Sequence, residues 1–586
     1  MSVATPVAAQ WTGIDHVPVV FHRSTCSGRR QSVAKRTCRE ASLCAVAAVG
    51  LSLHNRGGGG RQPSKRALQA QLASDTPKVR SRDTSLAAVG DTRGREESSG
   101  VPEFVRSPEA LDEQVVSLAL PAIVALCAEP LLSAIDTGFV GRLPNPALSL
   151  GGLGVATTVF DFVFRCYNFL CVVTVPLVAK AAAAQRCGNP DGPDPAQITG
   201  RIVGLAAFLG VVTWATLVAA TPTALQLAGT SADSTLGVIA SGYIGIRAAA
   251  LPASLVNTVA VGAFRGQLDT VTPLQVTSVQ MFTNVVLDYV LVFGVDALGI
   301  PALGVDGAAL ATAASVWLSC IAFCTSLSSR GLIVWEAALT WPLALLELQE
   351  LVVGGAAQLL RTLSLQVVLL EFTRSVVGID GGGLAAAAHQ VALRIWFFAL
   401  FALDSVAVAA QALLPVAITS SGTESARRVS LRLLAWGFGG GILTGIIIFV
   451  GAASLCALFT NDPSVQAAAL PLIVLVATLQ PLAGLVFTWD GMFQGLTDYA
   501  YLAGAMALSA GGTLAVLQVN HLSESLEGVW TCFALFLGFR AAGLAWRFWG
   551  PEGPLTPVPV GKAATAATAL SGTAGTTTVT QAAERD

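Results

Sequence analysis

The chain has 586 residues, of which 53% are apolar and only 12% are charged, about half the charged fraction of an ordinary soluble protein. Only 40 charged residues lie in the 440 positions from Leu111 to Gly550, too few to solvate a globular surface of that size. The composition therefore excludes a soluble enzyme, a nucleic-acid-binding protein and a disordered scaffold. It predicts an integral membrane protein.

Residues 1–80 form an Arg- and Ser-rich leader with twelve basic and three acidic side chains. This pattern is typical of organelle transit peptides, and an ordinary disordered cytosolic tail is the alternative. We therefore predict a disordered transit peptide over 1–80, followed by a linker over 81–110. The Pro-, Thr- and Ala-rich residues 551–586 are predicted to form a disordered tail.

Gly, Pro and charged residues divide the body into twelve apolar segments, each long enough to cross a bilayer, which takes about 20 residues. The predicted spans are 114–140, 150–180, 201–222, 235–262, 272–295, 303–328, 346–377, 384–415, 429–452, 465–492, 498–519 and 528–549. Lys and Arg test this count, because they concentrate in the loops on one side of a membrane. They occur in the 2–3, 4–5, 6–7 and 8–9 connections and at the C-terminal end, all on one side, here called the positive side, whereas the opposite connections contain only Arg142. An all-α polytopic protein with both termini on the positive side fits this distribution, and that side is expected to be the stroma in a plastid envelope.

The ends of the fourth and tenth spans share a motif, GAFRGQLDT in one and GMFQGLTDY in the other. Five residues recur 229 positions later: Pro252, Gly262, Phe264, Gly266 and Asp269 become Pro481, Gly491, Phe493, Gly495 and Asp498. The repeat predicts two six-helix lobes, at 111–328 and 347–550, joined by an inter-lobe loop over 329–346. We expect the glycines Gly266 and Gly495 to allow tight turns. The aspartates Asp269 and Asp498 are expected to cap the helices that follow.

Parallel repeats of this kind are typical of transporters, which expose a site at the lobe interface alternately to each side. A channel needs no such duplication and is less favoured. The chain has no G-x-x-x-x-G-K-[ST] phosphate loop, so an ion gradient is the predicted energy source. A membrane-embedded prenyl transferase would need Asp-rich diphosphate motifs, and no D-D-x-x-D occurs. A flippase for lipid-linked substrates is the main alternative, and a strongly cationic cleft would favour it.

Residues 119–143, ALPAIVALCAEPLLSAIDTGFVGRL, resemble the first helix of the multidrug and toxic compound extrusion (MATE) family. The similarity continues through FRGQLDTVTP, NVVLDYVLVF, GVDGAALATAAS, AAHQVALRIW and FTWDGMFQGLTDYAY, and it covers 111–550. The last motif and the leader most resemble the plastid-targeted plant and algal branch, the DETOXIFICATION-type proteins.

The resemblance implies twelve helices in two lobes and H⁺- or Na⁺-coupled antiport of a small organic molecule. We expect a monomer in the plastid envelope, with another organelle or the plasma membrane as the alternative location. Apart from the coupling ion, no cofactor, nucleic acid or nucleotide is predicted to bind.

Ionisable side chains within a bilayer are costly, so each one is a functional candidate. Asp136 lies near the end of span 1, Thr312 lies in span 6, and Asn284 and Asp288 share one face of span 5 at i, i+4. These four fit the cation-coupling site that the resemblance places in the N-terminal lobe. Their oxygens could hold Na⁺, or the two carboxylates could share a proton, because close carboxylates resist ionising together. The alternatives are a polar anchor at the bilayer edge for Asp288 and helix capping or pairing with Arg142 for Asp136.

The C-terminal lobe has a second candidate polar site, made of Gln358, Arg361, Glu371, Asp404 and Asp490. By the resemblance an acid is expected in the middle of span 7, but Gln358 and Arg361 stand there, so we expect coupling mainly in the N-terminal lobe. Arg361 is expected to pair with Asp404 or Glu371, or else to contact an anionic substrate. Organic cations, phenolic acids and citrate-like anions are all candidate substrates by resemblance, and Arg361 and Arg247 favour an anion.

Overall fold

The computed structural model describes residues 101–556 except 190–191, 228–229, 296–298, 341–348, 381–382, 520 and 552. The predicted transit peptide, most of the predicted linker and most of the predicted tail lie outside the described residues. The last residues of the predicted linker are helical, because Ser107 caps a helix that begins at Pro108. Its hydroxyl accepts a hydrogen bond from the Ala110 amide, so span 1 starts several residues earlier than predicted.

Long apolar helices make up nearly all of the described chain. Spans 1 to 6 are Pro108–Val140, the pair Pro146–Arg165 and Phe169–Arg186, Pro195–Leu227, the pair Thr235–Ala248 and Leu251–Gly266, Val271–Phe293, and Val305–Ser329. Spans 7 to 12 are Gln349–Asp380, the two halves of Leu384–Phe459, Pro463–Gly495, Tyr499–Val519 and Leu526–Trp549. Three short helices, Glu103–Arg106, Trp335–Leu339 and the 3₁₀ turn Leu522–Glu524, lie between or beside them. The prediction of an all-α, twelve-span membrane protein is thus confirmed.

Spans 8 and 9 are continuous in helical hydrogen bonding but are two helices. At 76 residues a single helix would be about 114 Å long, far more than a bilayer needs. The backbone leaves helical geometry at Gly422, where φ is 76° and ψ is −174°. Close contacts with span 10 give the direction of each half: Ala407–Gly491 and Gln411–Gly495 run parallel, whereas Gly437–Gly484 and Gly441–Gln480 run antiparallel. The chain therefore reverses at Gly422.

Two spans predicted as single helices are broken. Span 2 is interrupted between Arg165 and Phe169, and the two halves of span 4 are bent by 51°. In span 4 the second half begins with Pro252 in its first turn, where the missing proline N–H and the ring disfavour a continuous helix.

The repeated turn has the same backbone in both lobes. Leu268 and Thr497, 229 residues apart, are both left-handed, with φ of 63° and 61°. In each turn the aspartate amide that follows donates to the phenylalanine carbonyl of the motif at 2.9 Å. The predicted turn is present, but its positive φ falls two residues after the motif glycine.

The motif glycines instead allow helices to approach closely. A Cβ at Gly266 would lie 2.8 Å from the Val175 carbonyl oxygen of span 2, and one at Gly495 would lie 3.0 Å from that of Gln411 in span 8. The two lobes therefore use the same glycine contact between their second and fourth helices, which is the structural counterpart of the sequence repeat.

The two turn aspartates differ in detail. Asp269 accepts hydrogen bonds from the Val271 and Thr272 amides at 3.0 and 2.9 Å, so it caps span 5 as expected, and Arg330 donates to it at 2.7 Å. Partial burial acts to raise the pKa of Asp269, but the hydrogen bonds from Thr272 and Arg330 hold it below its usual value. Asp498 is instead bound by Arg547 at 2.9 Å, and its side chain makes no capping hydrogen bond within the described residues. In both lobes an arginine after or near the end of the last helix holds the turn.

The strongest contacts between the lobes lie toward the positive side. The Gln411 side-chain amide donates to the Val172 carbonyl at 2.7 Å, and the Lys180 ammonium donates to the Thr497 hydroxyl at 3.0 Å. The Asp112 carboxylate accepts from Arg432 and Trp436 at 2.5–2.8 Å. The outer half of span 2, Pro146–Arg165, packs chiefly within its own lobe. The lobes are therefore in contact toward the positive side, and the outer half of span 2 contributes little to that contact.

We predict that Gly491→Ala destabilises the C-terminal lobe, because its Cβ would overlap the Ala407 carbonyl and lie 2.7 Å from the Ala407 Cα. Overpacking of this kind costs about 1–3 kcal/mol. Thermal unfolding followed by size-exclusion chromatography should give a lower Tm. Gly504→Ala is the matched control, since nothing lies within 4 Å of that position, and equal melting of the two variants would contradict the packing assignment.

Candidate functional site

Four polar side chains from spans 1, 5 and 6 meet inside the N-terminal lobe. Asn284 and Asp288 have no exposed surface, and Asp136 and Thr312 are only 5% and 4% exposed. The i, i+4 spacing on span 5 aims both of its side chains at the other two helices. The structure thus brings together all four residues of the predicted coupling site.

The Asn284 amide lies at the centre of this cluster. In the amide orientation that satisfies both its nitrogen and its oxygen, the nitrogen donates to Asp136 Oδ1 at 3.2 Å and to Asp288 Oδ2 at 3.0 Å. Its oxygen accepts from the Thr312 amide at 3.2 Å and lies 3.3 Å from the Thr312 hydroxyl oxygen. That hydroxyl donates to the Ala308 carbonyl of its own helix at 3.0 Å. One amide therefore links two carboxyl groups from different helices.

Neither alternative for these aspartates is seen. Arg142 is exposed and makes no ion pair with Asp136 among the described residues. Asp288 is enclosed by protein and is not a surface anchor at the bilayer edge. Asp288 Oδ1 has no hydrogen-bond partner in the described part of the chain, so the cluster retains a free acceptor.

A cavity of about 200 Å³ leads to Asp136. Its lining residues are Ser133, Asp136, Thr137, Leu150, Leu153, Gly154, Thr157, Tyr243 and Arg247. The guanidinium of Arg247 lies 4.5 Å from the centre of the Phe160 ring, and it donates to the Tyr243 hydroxyl at 2.7 Å. The carboxyl group of Asp136, near the end of span 1, is therefore reached through this cavity, and the guanidinium group of Arg247 lines the same cavity.

The C-terminal lobe pairs its buried charges differently from the prediction. Arg361 of span 7 donates to Asp490 of span 10 at 2.7 Å, not to Asp404 or Glu371. Arg540 of span 12 donates to the same Asp490 oxygen, and its side chain is 6% exposed. Sequence reasoning missed Arg540, although a basic residue in the middle of an apolar span was a signal.

Glu371 does not belong to this site. It lies ten residues after Arg361 on span 7, about 15 Å along the helix. There it contacts Arg374 at 3.7 Å and Gln518 at 3.4 Å, near the end of the span. Its inclusion in the predicted polar site was wrong, because membership depends on depth in the membrane as well as on charge.

Gln358 and Asp404 remain near the arginines. Gln358 is 4% exposed, and its Nε2 has no partner among the described residues. Asp404 is half-buried and makes no hydrogen bond or ion pair in the described chain. Its charged neighbours are Arg265, Arg361 and Asp490.

Comparisons of the sequence with known proteins all identify the same family. The family model described as MatE matches residues 121–290 and 359–519, one segment in each lobe. Protein DETOXIFICATION 44, chloroplastic, of Arabidopsis thaliana is 30% identical over 446 residues, which cover 74% of this chain and 81% of that protein. Protein DETOXIFICATION 45, chloroplastic, of the same plant is 27% identical, with 77% and 81% covered. The DNA damage-inducible protein F of Escherichia coli is 28% identical, with 74% and 92% covered.

Solved structures show the same fold. A crystal structure of MATE in the straight conformation is 18% identical with a TM-score of 0.64, covering 77% of this chain and 97% of that one. The outward-facing conformation of a multidrug resistance MATE family transporter is 19% identical, with the same TM-score and coverage. The predicted family and plastid location are confirmed: the chain belongs to the MatE family of multidrug and toxic compound efflux transporters and is an integral plastid membrane protein.

Proposed function

We propose that this chain is a proton-coupled antiporter that exports a small organic molecule across the plastid envelope. The N-terminal cluster of Asp136, Asn284, Asp288 and Thr312 carries the coupling proton. The observation that carries this proposal is the pair of buried carboxyl groups that bind one amide from two different helices. Two carboxyl groups so close to each other can share one proton, because their charged forms repel.

Span 1 links this cluster to the lobe interface. Asp136 lies near one end of the helix, and Asp112 near the other end binds Arg432 and Trp436 of span 9. Loading or releasing a proton changes the charge that Asn284 must stabilise, and therefore the preferred position of span 1 relative to span 5. A shift of span 1 reaches the contacts that close the lobes on the positive side, as alternating access requires.

Sodium is the second candidate ion, because two carboxylates, an amide and a hydroxyl offer the oxygen ligands of a hard cation. We favour the proton because the two buried carboxyl groups lie on either side of one amide. The transport assay below, run under a pH or a Na⁺ gradient, separates the two ions.

The C-terminal charges have a structural role in this proposal. Asp490 is held by Arg361 and Arg540 at once. A carboxylate bound by two guanidinium groups is poorly placed to exchange a coupling ion, so coupling remains in the N-terminal lobe.

We predict that Asp136→Asn and Asp288→Asn each reduce gradient-driven uptake to the level of empty vesicles, because neither variant can pass the proton between two carboxyl groups. Proteoliposomes would be given a mixed pool of small organic anions, cations and neutral compounds under a pH or a Na⁺ gradient, with uptake measured by mass spectrometry. Asp233→Asn, in an exposed loop, is the matched control and should transport normally. Full-rate transport by Asp288→Asn would refute the coupling role, and transport driven only by Na⁺ would replace the proton by sodium.

Asp490→Asn should instead lower stability, because the buried Arg540 and the half-buried Arg361 would lose the carboxylate that binds both of them. Removing one partner of a buried ion pair costs about 3–5 kcal/mol. Adding Arg540→Gln to this variant should restore part of the loss, and a double-mutant cycle on Tm measures that coupling. Asp233→Asn, in an exposed loop, is the control for the same chemical change. Additive effects at Asp490 and Arg540 would contradict the assignment.

A further inference from the structure

The segment that begins span 1 packs against the opposite lobe. The buried apolar side chains of residues 102–118 are Phe104, Val105, Leu111, Val115 and Leu118. All five lie in the hydrophobic core that the C-terminal lobe forms, and the cores of the N-terminal lobe contain none of them. We call residues 102–118 the strap, because they reach from the N-terminal lobe onto its neighbour.

The rest of span 1 stays in the N-terminal lobe. It packs against span 5 and brings Asp136 into the cluster with Asn284. The start of span 7 makes the reciprocal crossing: Leu351 lies in a core of the N-terminal lobe, and a Cβ at Gly355 would lie 2.9 Å from the Phe169 ring of span 2. Each lobe therefore holds the beginning of the other lobe's first helix.

Asp112 adds a charged contact between the strap and span 9. Its carboxylate accepts hydrogen bonds from two nitrogens of Arg432, at 2.8 and 2.5 Å, and from the indole nitrogen of Trp436 at 2.8 Å. Glu109, one turn earlier, is a further acidic neighbour of Arg432. Paired hydrogen bonds between a guanidinium group and a carboxylate fix their relative orientation as well as their distance. The strap is thus bound to the C-terminal lobe at one defined point.

This ion pair can break at low cost, because both partners already contact water. The side chain of Asp112 is 28% exposed and that of Arg432 is 50% exposed. An ion pair of this kind contributes little to stability. The pair of Asp490 with Arg540, whose side chains are 5% and 6% exposed, would instead leave uncompensated buried charges if it broke. The Asp490 pair is therefore permanent, whereas the Asp112 pair is free to open and close.

We propose that the strap holds the two lobes together on the positive side, and that the Asp112–Arg432 ion pair must break before that side opens. Alternating access requires the lobes to part there in one half of the cycle. When span 9 moves away from the strap, water replaces each partner of the exposed ion pair. This inference rests on the alternating access of the proposed function, but its test needs neither transport nor a coupling ion.

Cys171 is a native reporter of the contact between the lobes. It lies on span 2, is 8% exposed, and packs in a small cluster with Val175 and with Ala412 of span 8. The next residue, Val172, accepts the hydrogen bond that Gln411 donates across the same contact. Opening on the positive side would separate Ala412 from the thiol and expose it to water.

The purified full-length protein in detergent would be treated with N-ethylmaleimide, and the modification of each cysteine would be followed by mass spectrometry. Asp112→Asn and Arg432→Gln should each label Cys171 roughly three- to tenfold faster, because labelling follows the open fraction and each variant removes the charged contact that limits it. Glu113→Gln is the matched control. That side chain is exposed beside Asp112 and makes no ion pair in the described chain, so its variant should label at the unaltered rate.

Further measurements separate opening from unfolding. Cys187 is exposed, whereas Cys532 is buried with no exposed surface. Labelling should therefore be fast at Cys187 and absent at Cys532 in every variant. The double variant Asp112→Arg with Arg432→Asp exchanges the two charges and restores an ion pair, so its Cys171 should label slowly again.

Unchanged Cys171 labelling in both single variants would overturn the strap and would leave the proton coupling of the N-terminal cluster unaffected. Faster labelling of Cys171 together with Cys532 would mean unfolding and would also count against the strap. Faster labelling of Cys171 alone, in a protein whose uptake does not need Asp288, would support the strap and refute the coupling role.

Discussion

The free-energy cost of placing a charged group in hydrocarbon is the constraint on which the rest of this structure depends. Ionisable groups within the spans of the described chain avoid that cost in different ways. Asp490 lies between Arg361 and Arg540 and fixes three helices together. Asp136 and Asp288 share the amide of Asn284. These two arrangements correspond to an ion-paired structural cluster and to a site that can change its charge.

The two lobes share a backbone but not a set of charges. The left-handed turns at Leu268 and Thr497 and the glycine contacts of Gly266 and Gly495 are the same in both. Duplicated packing gives two halves that can rotate against each other as bodies. The polar clusters have diverged on this common frame, with an acid pair in one lobe and an ion-paired acid in the other. This asymmetry supports a division of labour between coupling and stability.

Patterns that are local in the sequence predict this protein well. The twelve spans follow from apolar length and loop charge, and the N-terminal cluster follows from the i, i+4 spacing of Asn284 and Asp288 together with the family resemblance. Ion pairs between side chains far apart in the sequence are harder to predict, because they depend on how the helices pack. Arg361 therefore had several possible partners, and the choice of Asp490 depends on the position of Arg540 on span 12. The breaks in spans 2 and 4 were also missed, since apolar composition alone does not reveal a bend.

The central claim is that the buried carboxyl pair of the N-terminal lobe binds and releases a proton. Infrared difference spectroscopy on the purified protein, titrated with pH, reports the C=O stretch of a buried protonated carboxyl group directly. The account predicts a band that titrates in the unaltered protein and is lost in Asp288→Asn, while Asp233→Asn retains it. A spectrum without a titrating buried carboxyl group, or a band unchanged in Asp288→Asn, would contradict it.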